Sequence, residues 1–254
     1  MSPSIWTRCA ASDEPARLDV AAWRVVEGQH VVSTRKLVDS DAEQHLLEEL
    51  IETVKPPLPA ETRNGALHYL LTTPFRYPPL RHGSRFARRH ERGLWYGSRE
   101  RRTAFAETAY YRLLFLDGTA ADLEPLEVDL SVFRAWVGSD AAVDLTAGCF
   151  DQHRADISSP SRYDASQRLG GDMRRAGLEL FLYPSARDAE GGVNVALFTP
   201  RAFTRRRPSA PETWYCIATR GGVEVSKRDV FRRASHAFPR RQFEVRGTLP
   251  APAP

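Results

Sequence analysis

A single carboxylate sets the strongest constraint on how this chain folds. Glu107 stands in TAFAETAYYRLLFL, residues 103–116, an amphipathic helical pattern that surrounds it with alanines and aromatics. A carboxylate buried there without a partner costs several kcal/mol or has its pKa forced far upward. The fold must therefore bring Glu107 either a cation or a ligand. Cations are close in sequence: eight arginines fall between Arg81 and Arg102, against two glutamates, interleaved with Phe86, Trp95 and Tyr96. A buried Arg85–Glu107 ion pair is the structural reading, and a substrate-facing carboxylate the functional one.

Composition narrows the partners. The chain has 254 residues, enough for a well-buried core, and a net charge of +4 whose excess is arginine rather than lysine. Arginine suits bidentate recognition of phosphate or carboxylate, so an anionic ligand is expected, while the surplus is small for a dedicated nucleic-acid binder. Cys9, Cys149 and Cys216 are scattered, odd in number and without CxxC spacing. They point to a reducing compartment and away from a disulfide framework or a zinc site. The seven histidines include no HExxH, and no metal is expected. No run of 18 apolar residues and no N-terminal apolar leader is present, so the protein is expected to be cytoplasmic, with no membrane partner.

Along the chain, Val20–Val26 and Val31–Val32 read as short strands or an irregular arm. Ser40-x-x-Glu43 is a capping box opening a helix with the stripe Leu46, Leu47, Leu50, Ile51 and Val54, which Lys55-Pro56-Pro57 stops. A second short helix ends near Leu71. Residues 1–70 then form an N-terminal accessory helical extension, 71–245 the main domain, and 246–254 a disordered, proline-rich tail. Within the main domain, Thr73–Pro79 is expected to be extended, because Pro74, Pro78 and Pro79 fix φ and bias the residues before them away from helix. Thr103 is the expected N-cap of the Glu107 helix and Gly118 its stop. Leu126, Val128, Leu130 and Val132 alternate with polar residues as in a half-buried strand, and Val143 with Leu145 suggests another. Ser159-Pro160 opens a helix running to about Gly177. Leu178–Tyr183 and Val193–Thr199 read as an antiparallel pair, Trp214–Thr219 and Val223–Val225 as a hairpin about Gly221-Gly222, and Lys227–Ala234 as a basic helix.

The segments PFRYPP, GSRF, LWYG, TAFAETAYYR, RYDASQRLG and LYPSARDAEGGVNVALF, in this order and spacing, resemble the RES domain, over about Pro74 to Phe198. That family is named for an arginine, a glutamate and a serine, which the resemblance places on Arg85, Glu107 and Ser185. Arg76 matches a further arginine ahead of the first motif, and Tyr96 the tyrosine of a short strand. The resemblance implies an α+β fold with an ADP-ribosyltransferase-like core: two mostly antiparallel sheets with flanking helices around a cleft that binds NAD. It also implies a toxin of an Xre/RES toxin–antitoxin pair that arrests growth. NAD would be its substrate, consumed by hydrolysis or phosphorolysis. The alternative is ADP-ribosylation of a protein such as phosphoribosyl pyrophosphate synthetase. The implied partner is an Xre-family antitoxin that blocks the cleft; nucleic acid is met only through it, and homo-oligomerisation is left open.

The residue types suit that chemistry. Neither GxGxxG nor GxxxxGK[ST] is present, so phosphate recognition falls to arginine and loop amides. The expected ligand-binding set is Arg76, Tyr77, Arg85, Tyr96, Ser185 and Asn194, with Glu107, Arg85 and Ser185 in catalytic roles. Tyr96 would stack on nicotinamide or adenine. Glu107 would hold ribose hydroxyls and stabilise the positive charge that develops as nicotinamide leaves. Ser185 would donate to a phosphate or ribose oxygen; without a GxSxG context it is not read as a nucleophile. The bland readings are a turn residue for Ser185, a core contact for Asn194, and core or rim aromatics for Tyr96 and Tyr163. Arg81, Arg88, Arg89 and Arg92 form the expected rim for an acidic antitoxin segment. A non-enzymatic alternative is a basic nucleic-acid module built on residues 81–102 and 201–207.

Overall fold

The longest strand organises the molecule. In the computed structural model, which describes residues 4–9, 15–28, 38–57, 67–79, 82–121, 123, 125–227 and 234–251, strand β3 spans Leu126–Asp144. The alternation at its start gives way to a buried run, Leu130 to Phe133, after which Phe133, Ala135 and Val137 are buried in the opposite phase and face a different core cluster. The polar stretch Gly138-Ser139-Asp140 leads into a local register irregularity against β1 and does not end the strand, so the strand expected separately around Val143 is the far end of the same element. Around β3 lie β1 (Ala16–Glu27), β2 (Trp95–Ser98), β4 (Leu180–Pro184), β5 (Val193–Leu197), β6 (Glu212–Thr219), β7 (Gly222–Lys227) and β8 (Ser235–Pro239). The helices are α1 (Ile5–Cys9), α2 (Asp41–Val54), α3 (Tyr69–Arg76), α4 (Arg101–Asp117), α5 (Gly148–Asp151), α6 (Arg154–Ile157) and α7 (Asp164–Arg175).

The protein is α+β, and its strands are mostly antiparallel, as expected; among the described strands only β3 and β4 run parallel. They form one mixed sheet of eight strands in the order β1-β2-β5-β4-β3-β6-β7-β8, rather than two separate sheets. The reason is the length of β3. Its first half pairs with β6, its last residues with β4, and β1 runs along its other edge from Leu130 to Ala142. Because β1 also meets β2 at Trp23 and Ser98, the strands β1-β2-β5-β4-β3 close into a ring. The β6-β7-β8 meander extends from it as a wing.

Residues 16–27 therefore belong to the sheet rather than to an arm. The hairpin of β6 and β7 closes at Thr219 and Gly222, and β4 pairs antiparallel with β5, as the sequence indicates. Ser40 caps α2, accepting from the Glu43 amide at 3.2 Å, and Lys55 ends that helix ahead of Pro56. Val31–Val32 and most of the Lys227–Ala234 segment lie outside the described residues.

Four local expectations need correction. Pro74 lies inside α3: Leu70, Leu71 and Phe75 bury one helical face, and this outweighs the backbone bond that proline removes. Tyr77, ahead of Pro78, takes the expected extended geometry. Helix α4 begins at Arg101, so Thr103 sits in its first turn and its hydroxyl donates to Asp188 instead of capping. Helix α7 starts at Asp164, and Ser159 Oγ accepts from the Arg162 amide within the preceding turn. The tail expected to be disordered from residue 246 is held as far as Pro250, which is buried and accepts the Tyr110 hydroxyl.

A covalent tie also departs from expectation. Cys9 of α1 and Cys149 of α5 are joined in a disulfide, and Cys216 is buried and free. Scattered spacing could not reveal the pair, because α1 reaches α5 only through tertiary packing: Ile5 and Cys9 enter one core cluster with Phe150, Leu169 and Met173. No helix among the described residues is long and apolar enough to cross a membrane.

Candidate functional site

Helix α4 buries Phe105, Ala106, Ala109, Tyr110 and Leu113 against the wing, and this leaves Glu107 facing the ring. Between α4 and the ring lies a pocket of about 300 Å³, near the lower end of the range of roughly 300–1,000 Å³ for small-molecule sites. Its walls come from β1 (Trp23, Arg24, Val25), the 84–85 turn, β2 (Tyr96, Gly97, Ser98), α4 (Ala104, Glu107, Thr108, Tyr111), Tyr163, Tyr183 and Asn194.

Glu107 takes its hydrogen bonds from neutral donors. Ser185 Oγ donates to Oε1 at 2.7 Å and Asn194 Nδ2 donates to the same oxygen at 2.6 Å. Asn194 is in turn oriented by Ser98, whose hydroxyl donates to its Oδ1 at 2.7 Å. Oε2 has no protein donor among the described residues. The anticipated Arg85–Glu107 ion pair is not formed: Arg85 donates to the Ser159 carbonyl at 2.8 Å and lies 4.7 Å from the Tyr163 ring centroid. The carboxylate is thus fixed through one oxygen and left open at the other.

The turn after β4 is built to hold this geometry. Ser185 Oγ accepts from the amides of Arg187 and Asp188, both at 3.1 Å, so its only proton points to Glu107. Asp188, buried, accepts from Thr103 at 2.8 Å and pairs with Arg102, which locks the turn to the start of α4. That approach requires glycine at 192, where a Cβ would lie 2.1 Å from Thr103 Oγ1 and 2.6 Å from Asp188 Oδ2. Arg187, also buried, donates to the Pro160 carbonyl at 2.8 Å and stands 3.4 Å from the Tyr110 ring centroid. Arg85 and Arg187 therefore hold adjacent carbonyls of the loop that presents Tyr163.

Burial pushes the Tyr96 hydroxyl up to about 12. That hydroxyl is occupied, bonding Ser84 Oγ at 2.9 Å and accepting from the Phe86 amide at 3.3 Å. What Tyr96 offers the pocket is its ring. Burial, followed by the charge of Glu107, holds the Tyr183 hydroxyl well above its ordinary value. Both tyrosines stay neutral at physiological pH.

The pocket contains a cation that the sequence reading missed. Arg24 donates to the Tyr96 carbonyl and lies 5.3 Å from the Trp95 ring centroid, and its Nε is buried with no partner. Burial lowers its pKa to about 10, so it remains charged at neutral pH. It has no carboxylate partner among the described residues. Arg24 was out of reach because its place depends on β1 pairing with β3 over eleven registered positions, which no local pattern encodes.

Of the expected residues, Glu107, Arg85, Tyr96 and Asn194 line the pocket, and Ser185 stands directly behind Glu107. Arg76 and Tyr77 do not line it. Arg76 Nε donates to the Pro56 carbonyl from the last turn of α3, and Tyr77 is exposed. Arg88 and Arg89 are exposed on the loop before β2 and do not line the pocket, Arg92 is half-buried, and Arg81 lies outside the described residues. One group with metal-ligand spacing exists among the described residues, Cys9, Cys149 and His153, and its sulfurs are spent in the disulfide.

No curated protein matches the chain. A family model described as the RES domain matches residues 60–217. The match spans more than half of the chain and takes in Arg85, Glu107, Ser185 and Asn194, so the protein belongs to the RES-domain family.

Proposed function

We propose that the pocket binds NAD and that the protein, as a member of a family of RES-type toxins, cleaves the nicotinamide–ribose bond. The observation that carries this reading is the half-satisfied carboxylate of Glu107, held by Ser185 and Asn194 with no donor to Oε2 among the described residues. An ADP-ribosyltransferase-like cleft would place the ribose beside that oxygen. As the C1′–N bond breaks, its electron pair leaves with neutral nicotinamide, and positive charge develops on the ribose. A fixed anion that needs no reorganisation stabilises that charge. Water or phosphate then bonds to C1′; with water, one proton is released. Arg24 and Arg85 supply positive charge for the pyrophosphate, and the rings of Tyr96 and Tyr163 supply stacking surface.

Transfer of ADP-ribose to a protein uses the same pocket and differs only in the acceptor. On either reading an Xre-family antitoxin would silence the enzyme by covering the pocket. The test is incubation with NAD, with and without phosphate, followed by product identification. Free nicotinamide with ADP-ribose, or with ADP-ribose 1″-phosphate when phosphate is added, supports cleavage. Unchanged NAD after prolonged incubation of folded protein refutes it.

A further inference from the structure

Outside the pocket, the sheet bears an alternating series of tryptophans and arginines. Trp23 of β1 stands opposite Arg134 of β3 in register, and Trp136 follows two residues along the same face. Arg101 lies 4.2 Å from the Trp23 centroid and 5.4 Å from that of Trp214. Arg134 lies 5.2 Å from Trp23 and 5.9 Å from Trp136, and Arg205 lies 3.8 Å from Trp136. The series begins at the pocket, which Trp23 lines, and ends at the exposed run Arg205, Arg206 and Arg207.

Charge along this series is uneven. At the inner end Arg101 is neutralised by Glu212 at 3.2 Å. Arg134, Arg205, Arg206 and Arg207 have no carboxylate partner among the described residues, and Arg134 Nε is buried without a hydrogen bond. Guanidiniums stacked on rings lose little further side-chain freedom on binding, and their N–H edges remain available to oxyanions. Arg134 and Arg205, stacked on rings, and the exposed Arg206 and Arg207 that follow them concentrate positive charge that no carboxylate among the described residues offsets.

We infer that this strip is a docking surface for an extended acidic segment of a protein partner. The charges succeed one another from Arg134 across the Trp136 ring to Arg205 and on to the exposed Arg206 and Arg207, so they match several carboxylates along one chain rather than a single anion. The arginine fork suits carboxylates bidentately. Single-stranded nucleic acid fits less well, because it relies on open aromatic faces for its bases, and Trp23 and Trp136 each already carry two guanidiniums. The inference rests on this surface alone and is independent of the reaction proposed for the pocket.

The test uses the full chain, a fluorescently labelled alternating Glu-Thr decapeptide and a labelled decathymidylate, with binding read by anisotropy at low salt. The peptide should bind, weaken as salt rises, and lose about tenfold or more in affinity in Arg205→Gln/Arg206→Gln/Arg207→Gln, whose side chains are exposed. Arg134→Gln should weaken it further, while Arg241→Gln, on the far wing, should not. An affinity unchanged in the triple variant, or decathymidylate binding about tenfold tighter than the peptide, overturns the proposal.

Discussion

The hydroxyl of Ser185 donates to Glu107 Oε1 across 2.7 Å, and its oxygen is occupied by the amides of Arg187 and Asp188. Ser185 is therefore a positioning residue: it aims and stabilises the ionised carboxylate and has no proton left for a ligand. A hydrogen bond to a charged group contributes about 1.5–3 kcal/mol. Ser185→Ala should lower NAD turnover by roughly ten- to a hundredfold, with the loss in kcat rather than KM and the melting temperature little changed. A loss that falls on KM, or that follows the folded fraction, would assign Ser185 to binding or folding instead.

Glu107→Gln tests the carboxylate itself. It keeps the size of the side chain and removes its charge, so the fold should persist while turnover falls by at least about a hundredfold. Thermal unfolding and NAD loss should be measured on the same sample. Residual activity that merely tracks the folded fraction would make Glu107 structural.

Arg24 and Arg76 separate the geometry from the motif. Arg24 lines the pocket without a carboxylate partner among the described residues, whereas Arg76 is engaged with the Pro56 carbonyl outside it. Arg24→Gln should raise the KM for NAD by about tenfold or more, and Arg76→Gln should leave it close to wild type. Steady-state kinetics on the two variants decides; the reverse order would relocate the anion site.

His236 packs among Phe105, Trp214 and Phe238. Burial, then the charges of Arg102 and Arg101, lower its pKa below the ordinary histidine value of 6.5. A folded-state pKa below the unfolded one means the unfolded chain binds the proton first as pH falls. The stability from a neutral His236 is thus fully present above about 6.5 and drains away below it. His68, lowered by burial and Arg207, acts in the same direction. The melting temperature should drop between neutral pH and pH of about 5, and His236→Phe should make that drop shallower. An unchanged slope in the variant would remove His236 as a cause.

Much of this was legible where the signal is local. Period-two alternation gave the start of β3, helical periodicity and Gly118 gave the body and end of α4, and a two-residue loop gave the β6–β7 hairpin. Glu107 stood out because a carboxylate among apolar residues demands a partner. What escaped depends on long-range contacts. Pro74 enters a helix because Leu70, Leu71 and Phe75 find a core to bury in. Cys9 meets Cys149 because α1 packs beside α5. Arg24 reaches the pocket because β1 closes the ring. Likewise, the choice between an ion pair and a ligand-facing Glu107 rested on where Arg85 points, which is set by the Ser159 carbonyl.

The closure of that ring has a consequence for biosynthesis. A chain emerging from the ribosome folds from its N-terminal end, and contacts distant in sequence wait for the later partner. Trp23 and Arg24 are translated early, but β2 and β5 must register before Asn194 can orient Glu107. The pocket therefore stays incomplete until just over three-quarters of the chain has been synthesised. Nascent fragments released before that point would lack the Asn194 hold on Glu107, so whatever chemistry the pocket performs is confined to chains that extend past β5.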